Sequence, residues 1–297
     1  MKARKNLFPL RGDVVALLGA GGLARALAPA LLAAGARVVI AARRPAAARA
    51  LAKKVRAEAA PDAAAALEQA TLAILCVPDD ALAPLARELA RHSRGRGRSV
   101  LHASGLPDAR PHAALARAGW NPGWMHPLLP LPRDASAVKR FEGAWFATGG
   151  SARARRAARR LVRALGGREL ALHAGTKADY HLAATLVSNG SLALFELARA
   201  HFERAALDPR MARAAFAELL GATAANLARA NPREALTGPI ARGDLESVRG
   251  HLARTRPGLE RELYRTLGRV LLDLSRTRLA PAQRRSLAAL LARPRNR

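Results

Sequence analysis

The chain has 297 residues, is half hydrophobic but only 4% aromatic, and carries a formal net charge of +28. That length supports two domains or one large α/β domain, with Ala, Leu and Val filling the core. The single cysteine, Cys76, excludes an internal disulfide and a cysteine-based zinc site. Arginine, not lysine, dominates the charge and is spread along the whole sequence. It lacks the interleaved aromatics that stack bases, so coding bias explains it and a nucleic-acid partner is not expected.

The basic Met1–Lys5 followed by an apolar stretch imitates a secretory signal, but Arg25 interrupts that stretch and Arg37 ends it. No apolar run reaches the roughly 20 residues of a membrane span, and the expectation is a soluble, cytoplasmic protein. Val14–Leu18 reads as a buried strand, Gly22–Ala34 as a helix that Pro29 should kink, and Arg37–Ala41 as the next strand. Pro45–Lys54 is helical, with proline in its first turn. Thr71–Val77 is an apolar strand holding Cys76, read as a buried structural thiol, and Asp79–Arg91 is the helix after it, with Asp79 as its N-cap. Ser99–His102, Gly123–His126 and Ala144–Thr148 are further strands. This alternation predicts a Rossmann-type parallel sheet covered by helices.

Beyond about residue 151 the pattern is helical to the end, apart from a short apolar piece near Glu169–Leu172. Helices are predicted over Ala152–Leu165, Lys177–Ala205, Pro209–Ala230, Asp244–Thr255, Gly258–Asp273 and Pro281–Ala292, with an ordered loop at Thr237–Gly243 and a frayed C-terminal pentapeptide. The predicted organisation is α/β, with a dinucleotide-binding domain over 1–172 and an all-helical substrate and dimerisation domain over 173–297.

Gly19-Ala20-Gly21-Gly22-Leu23-Ala24 is a G-x-G-x-x-A fingerprint placed between a strand and a helix, the context that makes such a pattern specific. Gly19 permits the tight turn, Gly21 lets a pyrophosphate approach the backbone, and Ala24 keeps helix and strand close. The free amides of the helix start attract phosphate. At the end of the second strand, Arg43-Arg44 stands where an NAD site carries an acid. Paired guanidiniums hold a 2′-phosphate that an acid would repel, so NADP is the expected cofactor. Val77 and Pro78, after the Thr71 strand, are placed beside it.

Several short motifs align in order: Gly19–Ala24, Cys76-Val-Pro-Asp-Asp80, His102-Ala-Ser-Gly105, His126-Pro-Leu128, Lys177-Ala-Asp-Tyr-His181, Ser188-Asn189 and Ala235–Asp244. Together they resemble the bacterial oxidoreductase family that joins a Rossmann domain to a helical domain of unknown function. That family is distantly similar to pyrroline-5-carboxylate reductase and the β-hydroxyacid dehydrogenases. The resemblance implies an NADP(H)-dependent reductase or dehydrogenase acting on a small C=O or C=N substrate at the domain interface, and a homodimer formed through the helical domain. It does not identify the substrate.

Ligands bind at the carboxyl ends of the strands in such a sheet, which is where His102, Ser104 and His126 fall. Each histidine reads equally well as structural, bonded to backbone. Lys177 matches the catalytic lysine of the β-hydroxyacid dehydrogenases, with His181 one turn later in place of their asparagine; the alternative for Lys177 is a solvated surface charge. Asn189 lies about two turns further along, on roughly the same stripe. The catalytic candidates are therefore Lys177, His181, His102, Ser104 and Asn189, with no metal. Thr237–Asp244 reads as a substrate loop, a dimer contact or a helix cap. The rival to an enzyme is an NADP(H)-responsive regulatory or sensor protein without turnover.

Overall fold

The computed structural model describes residues 9–105, 110–130, 141–173 and 175–292. Met1–Lys5 and the C-terminal pentapeptide lie outside the described residues. The chain divides into two compact units, Met1–Ser188 and Asn189–Arg297.

The first unit is built on one sheet of eight strands: β1 (Val14–Leu18), β2 (Arg37–Ala41), β3 (Glu58–Ala59), β4 (Leu72–Leu75), β5 (Ser99–His102), β6 (Asn121–Pro127), β7 (Trp145–Gly150) and β8 (Arg168–Ala171). Their order is β3-β2-β1-β4-β5-β6-β7-β8. The chain reverses direction across the sheet between β1 and β4, the switch point where such sheets bind ligands. Every pairing is parallel except β6 with β7, which sets His126 opposite Ala147. The sheet is therefore mostly rather than wholly parallel. A parallel return needs a long crossover, usually helical, and no helix is predicted between these two strands.

The central strands are apolar because both faces are covered. Along β1, Val15 and Leu17 join Leu27, Ile40 and Ile74 on one face. Ala16 and Leu18 join Leu75, Leu82 and Leu89 on the other. This is the two-residue alternation of a strand. The covering helices are α1 (Gly22–Ala33), α2 (Pro45–Val55), α3 (Ala63–Gln69), α4 (Asp79–His92), α5 (Arg110–Arg117) and α6 (Ala152–Ala164). Ala24 and Ala28 of α1 are fully buried, so the small side chains let this helix lie close to the strands. The helix is assigned continuously across Pro29. Pro78, not Asp79, is the N-cap of α4; Asp79 and Asp80 occupy its first turn, where negative charge complements the helix dipole.

Helix α7 (Lys177–Arg204) begins in the first unit. The second unit continues with α8 (Pro209–Leu227), α9 (Pro232–Ala235), α10 (Pro239–Arg242), α11 (Leu245–Arg254), α12 (Leu259–Leu274) and α13 (Pro281–Leu291). Ile240, Val248, Leu252, Leu272, Leu287 and Leu291 form its core. The Thr237–Gly243 segment read as a loop contains α10, and Gly243 closes that helix in the left-handed region at φ 73°. Asp244 then caps α11, accepting from the Ser247 amide at 3.0 Å and the Ser247 hydroxyl at 2.6 Å. Among the described residues no helix is long and apolar enough to cross a membrane.

Candidate active site

The fingerprint begins where β1 ends. The Gly19 amide donates to the Ala41 carbonyl at 2.7 Å, and the Cys76 amide to the Leu18 carbonyl at 2.8 Å, so the ends of β1, β2 and β4 are held level. Gly19 has φ +130°, and a Cβ there would stand 2.2 Å from the Cys76 carbonyl oxygen. No other residue fits that junction. At Gly21 the same construction meets nothing within 4 Å. That glycine is the N-cap of α1 and offers no side chain to cap the helix. The first-turn amides of Gly22, Leu23 and Ala24 thus begin a helix beside open space, the arrangement that receives a phosphate. Arg25, legible in the sequence only as a break in an apolar run, folds its Nε back to the Ala20 carbonyl at 3.3 Å and adds positive charge beside this loop. Arg43 and Arg44 are exposed just beyond β2, and Arg44 is the N-cap of α2. The residues present fit a dinucleotide.

Val77 is half-buried and Pro78 exposed after β4. Burial pushes the Cys76 thiol up to about 12, so it stays a neutral thiol, as a structural role requires.

A second group of side chains gathers on β6 and the first turns of α7. Trp124 and His126, two residues apart, share one face of their strand. Lys177 is buried, with Nζ 4.7 Å from the centre of the Trp124 ring. Tyr180 Oη lies 2.9 Å from His126 Nδ1. The His126 ring meets the Tyr180 ring edge-on at 5.7 Å and the His181 ring edge-on at 6.0 Å. His181 packs against the loop after β5: a Cβ on Gly105 would stand 2.2 Å from His181 Nδ1. That nitrogen is buried and, among the described residues, has no hydrogen-bond partner. The motif after β5, the motif on β6 and the start of α7 therefore converge.

Desolvation lowers the His126 pKa to about 4, assisted by His181 and Lys177 and opposed by Asp79 of α4. His126 is neutral at physiological pH. Burial pushes the Tyr180 phenol up to about 12, so it keeps its proton. Asp79 follows Val77-Pro78, and its influence on His126 ties this cluster to the end of β4.

Of the sequence-predicted residues, Lys177 and His181 lie in the cluster. His102 is buried behind it, with Nδ1 accepting from the Ser104 amide at 3.2 Å. That bond shapes the loop carrying Ser104 and Gly105 and matches the backbone-bonded reading of His102. Asn189 is exposed. It opens the second unit, whereas His181 belongs to the first. Tyr180 was not singled out, although it is three residues from Lys177 and faces the same side. His126 was weighed as a strand-end histidine and placed outside the catalytic set.

Residues 14–101 match the family model described as NADP oxidoreductase coenzyme F420-dependent. Residues 144–271 match Domain of unknown function (DUF2520). No curated protein matches the chain. Among solved structures, a Bacteroides fragilis protein provisionally named an NADP oxidoreductase is 25% identical, with TM-score 0.67 over 87% of this chain and 97% of that one. A reductive aminase from Aspergillus terreus, in complex with NADPH and ethyl-5-oxohexanoate, is 18% identical, with TM-score 0.60 over 94% of this chain and 92% of that one. A pyrroline-5-carboxylate reductase from Coxiella burnetii is 14% identical, with TM-score 0.60 over 94% and 96%. The last two likenesses show the fold. The chain thus joins a segment similar to the NADP oxidoreductase, coenzyme F420-dependent, family to a segment similar to DUF2520.

Proposed function

We propose that the chain is an NADP(H)-dependent reductase or dehydrogenase acting on a small C=O or C=N group. The observation that carries this reading is the convergence of Lys177, Tyr180 and His181 on Trp124, His126 and Gly105, at the carboxyl ends of strands whose first member opens on an uncapped glycine cradle. Gly21 to Ala24 hold the pyrophosphate, Arg43 and Arg44 the 2′-phosphate. NADPH, when bound, supplies a hydride. Lys177 and His181 supply a proton or steady the developing charge on the substrate, and the Ser104 loop binds a polar substrate group.

The test follows NADPH consumption over a panel of ketones, 2-oxo acids and imines, in the wild type and in Lys177→Met and His181→Leu. Turnover by the wild type and a loss of about 10²-fold in each variant, with NADPH affinity kept, is the expected result. Wild-type rates in both variants remove the pair from the mechanism. NADPH binding with no turnover on any substrate returns the regulatory reading.

We also propose that a second copy of the chain covers the apolar surface of α7 and α8. Leu182, Leu186 and Leu192 of α7 and Met211 and Leu219 of α8 are 57–74% exposed. Water contact with so many large apolar side chains is what dimerisation relieves.

A further inference from the structure

We infer that His126 is a catalytic hydrogen-bond donor to the substrate's carbonyl oxygen, that Tyr180 is its positioning residue, and that the substrate is a carbonyl compound rather than a cationic imine. The substrate statement rests on the reductase reading above; the statement about the imidazole does not.

Among the described residues His126 Nδ1 is the hydrogen-bond partner of the Tyr180 hydroxyl, at 2.9 Å, and burial keeps the phenol protonated. The assignment that satisfies the half-buried O–H has Tyr180 donating and Nδ1 accepting. A neutral imidazole carries one proton, and with Nδ1 accepting it sits on Nε2. Edge contacts with the Tyr180 and His181 rings fix the plane of the His126 ring. The ring is then a preset donor, unable to act as a base at Nε2. A histidine whose pKa is lowered in this way can polarise a carbonyl as neutral imidazole, without being an imidazolium.

The groups facing His126 are Lys177, Tyr180 and His181 from α7 and Asp79 from α4. Three of the four are cationic or donor groups. When a carbonyl carbon accepts a hydride, the C=O π pair moves to oxygen, NADPH is oxidised to NADP⁺, and the oxygen takes a proton from the Lys177 ammonium to give the alcohol. His126 Nε2–H stabilises the negative oxygen along that path. A protonated imine has no lone pair for this donor and is repelled by Lys177. The cluster fits the carbonyl.

The test has two arms on the full chain. In the first, the protein is labelled with ¹⁵N-histidine, the His126 signal is assigned from His126→Gln, and the ring nitrogens are followed by NMR from acid to neutral pH. The expected result is the Nε2–H form, with protonation near pH 4, and a mixture of tautomers in Tyr180→Phe. An Nδ1–H form, or a Tyr180→Phe spectrum unchanged from wild type, overturns the donor assignment whether or not any substrate is found. In the second arm, NADPH-loaded protein is offered matched 2-oxo acids, ketones and cyclic imines. Reduction of carbonyls alone supports the substrate class, with kcat/KM about 10²-fold lower in His126→Leu and partly restored in His126→Gln, which keeps an N–H donor. Equal or faster reduction of imines, or reduction of neither class, overturns it. Failure to bind NADPH defeats the reductase reading and leaves the first arm to judge His126.

Discussion

Gly105 and His181 are in such close contact that a single added methyl group would displace the ring: the Cβ position of Gly105 falls 2.2 Å from His181 Nδ1. Gly105→Ala should therefore move His181 and cost about 1–3 kcal/mol of stability through overpacking. In a His181→Ala background the same substitution should cost almost nothing, because the ring it strikes is gone. Thermal unfolding of the four proteins in this cycle measures the coupling. Additive effects would separate the two residues.

Gly19 and Gly21 of the fingerprint should fail in different ways. At Gly19 an alanine meets the Cys76 carbonyl and a forbidden φ of +130°, so Gly19→Ala should destabilise the fold by about 2 kcal/mol or more. At Gly21 a Cβ meets open space, so Gly21→Ala should leave the melting temperature nearly unchanged and weaken NADPH binding by about tenfold or more. Differential scanning fluorimetry and a cofactor titration separate the two. An unchanged NADPH affinity in Gly21→Ala would move the pyrophosphate elsewhere.

His126 gives stability a pH dependence. Its folded pKa is about 4, below the ordinary imidazole value of about 6.5. Between those values the unfolded chain binds a proton that the folded chain refuses, so stability rises with pH across the window and falls as the solution is acidified. The effect is of order 3 kcal/mol. His126→Gln should flatten this part of the profile, read as the difference in melting temperature between pH 4 and pH 7. An equal slope in wild type and variant would contradict the burial of a neutral ring.

The exposed apolar side chains of α7 and α8 should be covered in solution. Light scattering at micromolar concentration is expected to give twice the 31.5 kDa chain mass. Leu186→Glu with Leu192→Glu should shift the protein toward monomer. A monomeric wild type would contradict the dimer.

Much of this was legible in the residues. β1, β2 and β5 were predicted with their observed ends, because a strand buried on both faces is an apolar run that stops at charged or turn residues. α3 was missed because its Ala63–Gln69 stretch has almost no polar face, although Asp62 ahead of it caps the helix through the Ala65 amide at 2.8 Å. β7 was predicted as a strand over Ala144–Thr148, but its antiparallel sense was missed because strand pattern carries no direction; the absent crossover helix was the available sign. At the site, the resemblance to the β-hydroxyacid dehydrogenases singled out Lys177, with His181 one turn later, while the equally valid i, i+3 neighbour Tyr180 went unread. His126 depended on knowing which helix covers β6, and that is set by tertiary packing.

The central claim is NADP(H) binding in the glycine cradle with the 2′-phosphate on Arg43 and Arg44. Fluorescence titration of the wild type and of Arg43→Ala/Arg44→Ala with NADPH and NADH tests it most directly. The account predicts that the wild type binds NADPH about 10- to 100-fold tighter than NADH, the worth of charge-assisted hydrogen bonds of about 1.5–3 kcal/mol, and that the double variant loses most of this preference while keeping its NADH affinity. Equal wild-type affinities, or a preference unchanged in the double variant, would contradict it.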